Sequence, residues 1–486
     1  MNANLSGPVL LWVRRDLRVH DNPALAYAAA RGDVVPVFVW NPAEDGGWPL
    51  GAAARVWLHH ALGGFASELE RRGSARLIIA VGSVVDTLMH HAQAVSARSI
   101  VWNRLYEPAA IAQSAALKRR AAAAGIEARS FASYLLNEPQ AIKNRQGTPF
   151  KVFTAYWKHC TQINPQAPPL CAPASISGSH QHAPSLSVDA LELLPRSPWH
   201  RQVLAGWTPS EAGAGAALER FAATAIDNYQ IGRDEPALDG VSALSPYLHH
   251  GQISPRQIRA RLSVGAGNGA LSDGARAFER QLYWRDFAHY LLFHFPHMPS
   301  APLNPAFAQF PWSDGRGDVG ALVAWQRGET GYPLIDAGMR ELWRTGTMHN
   351  RVRMNVASFL VKHLLVDWRV GQRWFWDTLF DASLANNSMG WQWAAGCGVD
   401  AAPYFRIFNP TLQAERFDSD GDYIRRWVPE LARLDKRWIH QPSVAPAQVL
   451  AAAKVCLDKD YPRPIVDHRE ARAMALSALA TIKKPS

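Results

Sequence analysis

Short, unbroken apolar runs punctuate the first 130 residues: Val9-Leu10-Leu11-Trp12-Val13, Val34 to Trp40, Arg76 to Val81 and Ser99 to Asn103. Longer Ala- and Leu-rich stretches, such as Ala52 to Arg71 and Ala109 to Ala124, separate them and read as helices. Strands that are apolar on both faces and alternate with helices predict a doubly wound α/β domain around a parallel sheet. Its strands lack GxGxxG, so a dinucleotide fingerprint is not indicated, although a ligand could still sit at the carboxyl ends of the strands. From Ile163 to Arg201 the chain turns to Pro, Ser, Ala and His with little periodicity, which reads as a connector.

After Gly206 the pattern becomes helical. Ser245-Pro246 reads as an N-cap followed by a first-turn proline, Gly251 as the end of that helix, and Ser254-Pro255 as the next start. Met354, Ala357, Val361, Leu364 and Trp368 recur at intervals of three and four, predicting one helix from about Asn350 with Met354 and Trp368 on its buried face. The expected organisation is an α/β domain over 1–135, a connector over 136–205 and an all-α domain over 206–486.

Composition narrows the class. With 48% hydrophobic and 19% charged residues the chain is an ordinary globular protein, and it has no run of eighteen apolar residues. Neither a membrane span nor a signal peptide is expected, and the reading is a cytoplasmic protein. Four scattered cysteines without a CxxC pair argue against disulfides, an iron–sulfur cluster or a zinc site. A net charge of +10 suits a polyanionic partner. Eleven of the nineteen tryptophans fall at or after Trp284, among Arg285, Arg351, Arg353 and Arg406, and aromatic faces beside guanidinium groups suit bases and phosphates together.

Three constellations could carry chemistry. Val241 to Ser245 puts hydroxyls and main-chain N–H groups before a helix, either an anion site or merely a cap. Asn350-Arg351-Val352-Arg353 opens a helix with two cations, and Arg353 could pair with Asp381 either structurally or at a ligand. Asp381 to Pro410 is densest of all, with Trp391 and Trp393 between an Asn pair and Tyr404-Phe405-Arg406. Buried indoles want partners for their N–H groups. If Trp391, Trp368 and Trp312 align from interior to surface, they offer a route for an electron; core packing is the alternative. No Ser-His-Asp, HExxH or P-loop pattern stands out, so a cofactor would supply the hard chemistry.

Arg14-Arg15-Asp16-Leu17-Arg18 with Asp21-Asn22-Pro23, then SALSPYLHHGQISPR, LYWRDF, TGYPLIDAGMRELW, MHNRVRM and GWQWAAGCGVDAAPYFRIFNP together resemble the DNA photolyase and cryptochrome family, in order and over nearly the whole chain. The final motif and VWNRLYEPA are most similar to cyclobutane pyrimidine dimer photolyases of the class III kind. The resemblance implies a U-shaped FAD. Tyr229, Ser242, Leu244, Ser245 and Arg285 would hold its diphosphate and neighbouring groups; Asn350, Arg353, Asp381 and Ser383 would line the flavin, and Asn387 would face its N5. Trp391, Trp368 and Trp312 would form the photoreduction chain. Trp284 and Trp393 would stack on a flipped dimer beside Met354 and Gln281, with Arg233, Arg351 and Arg406 on the DNA backbone.

The implied activity is light-driven repair of cyclobutane dimers in single- or double-stranded UV-damaged DNA by a monomer. A second antenna chromophore is implied in the first domain or at its junction with the second. Similarity to class III favours methenyltetrahydrofolate, with a deazaflavin as the other option. No metal is implied. Three positions depart from the family pattern: Gln281 replaces a Glu that bonds the dimer, Ser383 an Asp at the flavin ring, and Thr347 a Trp before MHNR. A glutamine can donate to a carbonyl but has no titratable proton. These departures keep open a cryptochrome-like blue-light photoreceptor with weak or no repair.

Overall fold

The computed structural model describes residues 7–163, 167–178, 184–266, 270–315, 319–400 and 405–483. Tyr404 and the tail over residues 484–486 lie outside the described residues. The chain divides into two compact units, one of Met1–Thr224 with Ser242–Pro296, the other of Ala225–Val241 with His297–Ser486. Residues 242–296 thus belong to the unit that holds the sheet although they follow the connector in sequence.

In the first unit five parallel strands, β1 (Val9–Val13), β2 (Val34–Trp40), β3 (Ile78–Val81), β4 (Ser99–Asn103) and β5 (Glu127–Phe131), lie in the order β3-β2-β1-β4-β5. Val9 stands opposite Val34 on one side and Ser99 on the other. The central strands are buried on both faces, as their apolar runs require. The sequence reading missed β5, whose Glu-Ala-Arg-Ser-Phe is half-exposed at a sheet edge and carries no apolar run. Helices α1 (Pro23–Ala29), α2 (Ala52–Arg72), α3 (Val84–Ala94) and α4 (Pro108–Ala123) alternate with the strands, and Leu88 and Leu117 close a core on Leu10, Trp12, Ile100 and Trp102. Part of the connector is fastened to this unit: Ile176 is buried and donates to the Arg72 carbonyl, while Val34 donates to that of Ser177.

The unit continues through α5 (Phe153–Ile163), α6 (Trp199–Val203) and α7 (Glu211–Thr224). It resumes, after the short α8 (Tyr229–Gly232) of the second unit, with α9 (Ser245–His250), α10 (Pro255–Ala266) and α11 (Asp273–His294). Ser245 is not the N-cap of α9. Ala243 adopts φ 53°, which turns the chain early, so Leu244 takes the cap position and its carbonyl accepts from Leu248 N–H. Gly251 does end α9, at φ 71°, where a Cβ would come within 2.0 Å of the Arg15 carbonyl oxygen. Ser254 and Gln257 form a reciprocal capping box at the start of α10, with bonds of 3.0 and 2.9 Å.

These contacts explain the Arg14–Pro23 motif as a structural joint. Arg18, fully buried, donates to the Gly251 and Asp21 carbonyls at 2.8 Å each, and Asp21 accepts from Ser254 and Arg256.

The second unit is helical: α8, then α12 (Val319–Arg327), α13 (Pro333–Thr345), α14 (Asn350–Lys362), α15 (Trp368–Thr378), α16 (Leu384–Ala395), α17 (Pro410–Phe417) and further short helices before a last one, His468–Lys483. Trp325, Trp368 and Trp391 are among its largest fully buried side chains. The helix expected to carry both Met354 and Trp368 is two helices. α14 stops at Lys362, Leu365 takes φ 51°, and Asp367 caps α15 by accepting from Arg369 N–H at 2.8 Å.

Candidate functional site

In the second unit, α14, α15 and α16 carry Asn350, Arg351, Arg353, Met354, Trp368, Asn387, Trp391 and Trp393. His349 caps α14, its Nδ1 accepting from Arg351 N–H, and burial pushes its pKa down to about 4, so the ring is a neutral acceptor at neutral pH. One turn on, Arg353 holds Asp381 through two bonds of 3.1 Å and anchors itself on the Met348 carbonyl at 2.7 Å. This bidentate fork fixes both groups, since a planar guanidinium matches a carboxylate edge. Asn350 is exposed, its amide 3.9 Å from the Met354 sulfur, and Met354 is half-buried.

Ser383 caps α16 by accepting from Asn386 N–H at 3.2 Å, a local task that accounts for a serine at this position. Asn387 and Trp391, four residues apart, share a face of α16. Asn387 is buried and its amide donates to the Gln372 carbonyl at 2.9 Å. Gln372 donates to Ser388 at 2.7 Å, while its Oε1 and the indole Nε1 of Trp391 are buried with no partner among the described residues.

Trp391 meets Phe375 edge-on at 5.0 Å and Trp325 at 6.3 Å, and its ring rests on Gly371, where a Cβ would lie 2.1 Å from Cη2. Trp368 begins the same helix, one turn before Gly371. Ser313, next to Trp312, donates to the Leu365 carbonyl and accepts from Asp367 N–H, which brings the Trp312 segment alongside the start of α15. Trp391 and Trp368 are buried and Trp312 half-buried.

The Gln372 and Trp391 side chains, the Asn387 amide and the Arg353–Asp381 pair are donors and acceptors of the kind that the polar edge of an isoalloxazine ring, which alternates carbonyl and nitrogen groups, would need. Tyr229 is buried, with the Arg233 guanidinium 5.7 Å from its ring centroid. Arg351 pairs with Asp234 and lies 4.4 Å over Phe417. Trp393 is half-buried and Arg406 exposed.

In the first unit, α11 carries Gln281, Trp284 and Arg285. Trp284 stacks on Phe153 at 3.6 Å and 9°, with Arg280 over Phe153 at 5.3 Å. The Gln281 amide donates to the Ala277 carbonyl in its own helix at 3.1 Å. Arg285 donates to the Tyr134 and Leu248 carbonyls and lies 4.2 Å over the Tyr134 ring. Ser242 accepts from Leu244 N–H at 3.3 Å, Leu244 is buried, and Ser245 is exposed.

Where β1 and β4 end, the same unit has a narrow crevice lined by Arg14, Arg15, Asp16, Asn103, Ser133 and Tyr134 among others, too tight to admit a water-sized group. Arg14 donates through Nη2 to the Asn103 carbonyl, its Nε and Nη1 are buried without a partner among the described residues, and burial lowers its pKa to about 10. No group of metal-ligating side chains occurs among the described residues.

Sequence reasoning missed Gly371, Gln372, Trp325, Phe153 and Asp234. Gly371 had a signal, because a lone glycine within the tryptophan-rich WRVGQRWFW marks a close approach. The others are defined only by tertiary contact.

A doubly wound parallel sheet in one unit and a helical second unit with buried polar groups define a two-module α/β-plus-helical protein. Residues 9–174 match the family model for DNA photolyase, and residues 278–481 that for the FAD binding domain of DNA photolyase. The chain is 44% identical to a deoxyribodipyrimidine photo-lyase of Agrobacterium fabrum, covering 99% of each, and 36% identical to Cryptochrome-2 of Arabidopsis thaliana, covering 98% of this chain and 79% of that protein. Its structure is similar to that of a bacterial class III photolyase from Agrobacterium tumefaciens, with a TM-score of 0.94 and 43% identity over 100% of this chain and 99% of that one. The chain belongs to the DNA photolyase and cryptochrome family.

Proposed function

We propose that this protein is a light-dependent photolyase that splits cyclobutane pyrimidine dimers in DNA. The observation that carries the reading is the 44% identity to a deoxyribodipyrimidine photo-lyase along 99% of both chains. FAD, when bound, supplies the light-absorbing centre and the electron that opens the dimer. Arg353, Asp381, Asn350 and Asn387 line its ring, with Ser383 fixing the helix that carries Asn387. Tyr229, Ser242, Leu244, Ser245 and Arg285 hold its phosphates and flanking groups, Leu244 through its main chain. Trp391, Trp368 and Trp312 conduct an electron from an external reductant to the buried site.

The dimer is flipped out of the helix, at less cost than a normal base because it stacks poorly. Trp284 and Trp393 take its faces, Met354 packs beside it, and the Gln281 amide turns from Ala277 to a pyrimidine carbonyl. Arg233, Arg351 and Arg406 take phosphates, giving affinity without sequence preference. Both cyclobutane bonds break and the pyrimidines are restored without net oxidation.

A second, antenna chromophore is part of the reading. Class III likeness favours methenyltetrahydrofolate, with a deazaflavin as the alternative. The division into antenna domain (1–135), connector (136–205) and catalytic domain (206–486) is proposed as a functional one. The protein acts as a monomer in the cytoplasm, consistent with the absence, among the described residues, of a helix long and apolar enough to cross a membrane.

A photoreceptor role is the second reading, favoured by one observation: Gln281, which stands where a Glu is expected, has its amide bonded to its own helix. Illuminating the reduced protein with oligonucleotides carrying either a thymine dimer or a (6-4) product tests the proposal. Restoration of the thymine dimer alone supports it; restoration of neither overturns it.

A further inference from the structure

The last residue of α14, Lys362, is 3% exposed. A lysine is almost never buried so deeply unless its ammonium has a defined partner. Here the Nζ donates to the Arg406 carbonyl at 2.5 Å and lies 4.3 Å from the centroid of the Phe405 ring. Phe405 is in turn 6.3 Å from Phe307 and 6.0 Å from Phe310, and its ring covers Gly396 at the end of α16. One ammonium therefore joins the end of α14, whose first turns carry Arg351, Arg353 and Met354, to the segment that presents the exposed Arg406.

We propose that Lys362 is a positioning residue that clamps the Phe405–Arg406 segment and so sets the orientation of the Arg406 guanidinium towards a DNA phosphate. The inference rests on the functional reading above for its DNA arm only; the clamp itself is a property of the second unit.

The clamp depends on charge. An ammonium is attracted to both the carbonyl dipole and the aromatic face, whereas a neutral amine keeps only a weak hydrogen bond. Burial lowers the Lys362 pKa to about 7. The groups around it leave that pKa near neutrality. Cys397, which faces it, is pushed up to about 12 by burial and stays a thiol; the Arg406 charge favours the neutral amine; neighbouring His363, down to about 3 and hydrogen-bonded to His468, is uncharged. Asp367 and Arg369 act on Cys397 with opposite sign. The clamp is closed below about pH 7 and loosens as the pH rises through that value.

The test uses the full-length FAD-loaded protein and Lys362→Met, which keeps the aliphatic stem and fits the buried site, with Lys362→Arg as the variant that stays charged. Hydrogen exchange of the amides of residues 405–408 reports the clamp without DNA. The expected result is faster exchange in Lys362→Met than in the unmodified protein at pH 6, convergence of the two at pH 8.5, and retention of protection by Lys362→Arg at both. Affinity for a thymine-dimer oligonucleotide, measured in a cycle with Arg406→Ala, reports the link to DNA. Lys362→Met should weaken binding about 3- to 10-fold at pH 6, and the double variant should bind no worse than Arg406→Ala alone, because linked residues are not additive.

Equal exchange in Lys362→Met and the unmodified protein at pH 6 overturns the proposal. So does a double variant whose loss is the product of the two single losses. If Arg406→Ala binds as tightly as the unmodified protein while the exchange difference persists, the DNA assignment of Arg406 falls and the positioning proposal falls with it, but the clamp is upheld.

Discussion

Gly371→Ala isolates what seats Trp391. The new methyl would stand 2.1 Å from Trp391 Cη2, 2.5 Å from Cζ3 and 2.6 Å from Leu360 Cδ2. Restoring ordinary contact, at 3.4 Å or more, requires the indole to retreat by about 1.3 Å. Trp391 is 2% exposed and wedged against Phe375 and Trp325, so the ring has little room to do so. Overpacking of this kind costs about 1–3 kcal/mol. Alanine offsets about 1 kcal/mol of that through its better helix propensity. The net loss is about 0–2 kcal/mol, small enough for the variant to fold and bind FAD. Thermal melting should register that modest drop. The rate of blue-light reduction of bound FAD by an external thiol should fall towards that of Trp391→Phe. Unchanged photoreduction in a variant of unchanged FAD content would refute the claim that the Trp391–Gly371 contact sets the electron route.

Asp381→Asn should destabilise the protein and lower the FAD retained on purification, because it leaves Arg353 without its countercharge. With the Arg353 side chain 26% exposed and Asp381 5%, solvent screens part of the effect, and about 1–3 kcal/mol is expected from denaturant titration; apo-protein as stable as the unmodified form would contradict it. His349 gives a pH signature. Its folded pKa of about 4 lies below the ordinary 6.5, so the unfolded chain takes up a proton first. Its contribution to stability is present above pH 6.5 and is lost as the pH falls towards 4. Between pH 7.5 and 5 the unmodified protein should lose on the order of 2 kcal/mol more than His349→Asn, which keeps a cap acceptor. His289 and His363, both lowered to about 3 by burial, titrate alike in the two proteins and cancel in the comparison; identical pH profiles would show that His349 is not a neutral cap.

The legible parts of the chain are those where a single element carries its own pattern. Strands β1, β2 and β4 stand where their apolar runs begin and end, because burial on both faces leaves no polar position to blur the edges. β5 escaped notice because an edge strand need not be apolar. The stripe from Met354 to Trp368 misled because a helical spacing happened to persist across a loop. Neither Gly nor Pro marks that break, and only Asp367, a cap before a tryptophan, signals the new helix. At the site, the Arg353–Asp381 pair was legible as a charge match, and the structure forms it. Gln372, Asp234 and Phe417, by contrast, take their parts through contacts between segments far apart in sequence. Arg351, expected to be open to phosphate, is engaged by Asp234 and Phe417, neither of which lies near it in the chain.

The most direct test of the central claim is single-turnover repair of one thymine dimer by the reduced protein, in light and in darkness, beside Gln281→Glu. Restored thymines in light and none in darkness, with the unmodified protein active and Gln281→Glu faster, is the predicted result. A protein that reduces its FAD in light but leaves the dimer intact, with Gln281→Glu equally inactive, would contradict the repair assignment and leave a photoreceptor in its place.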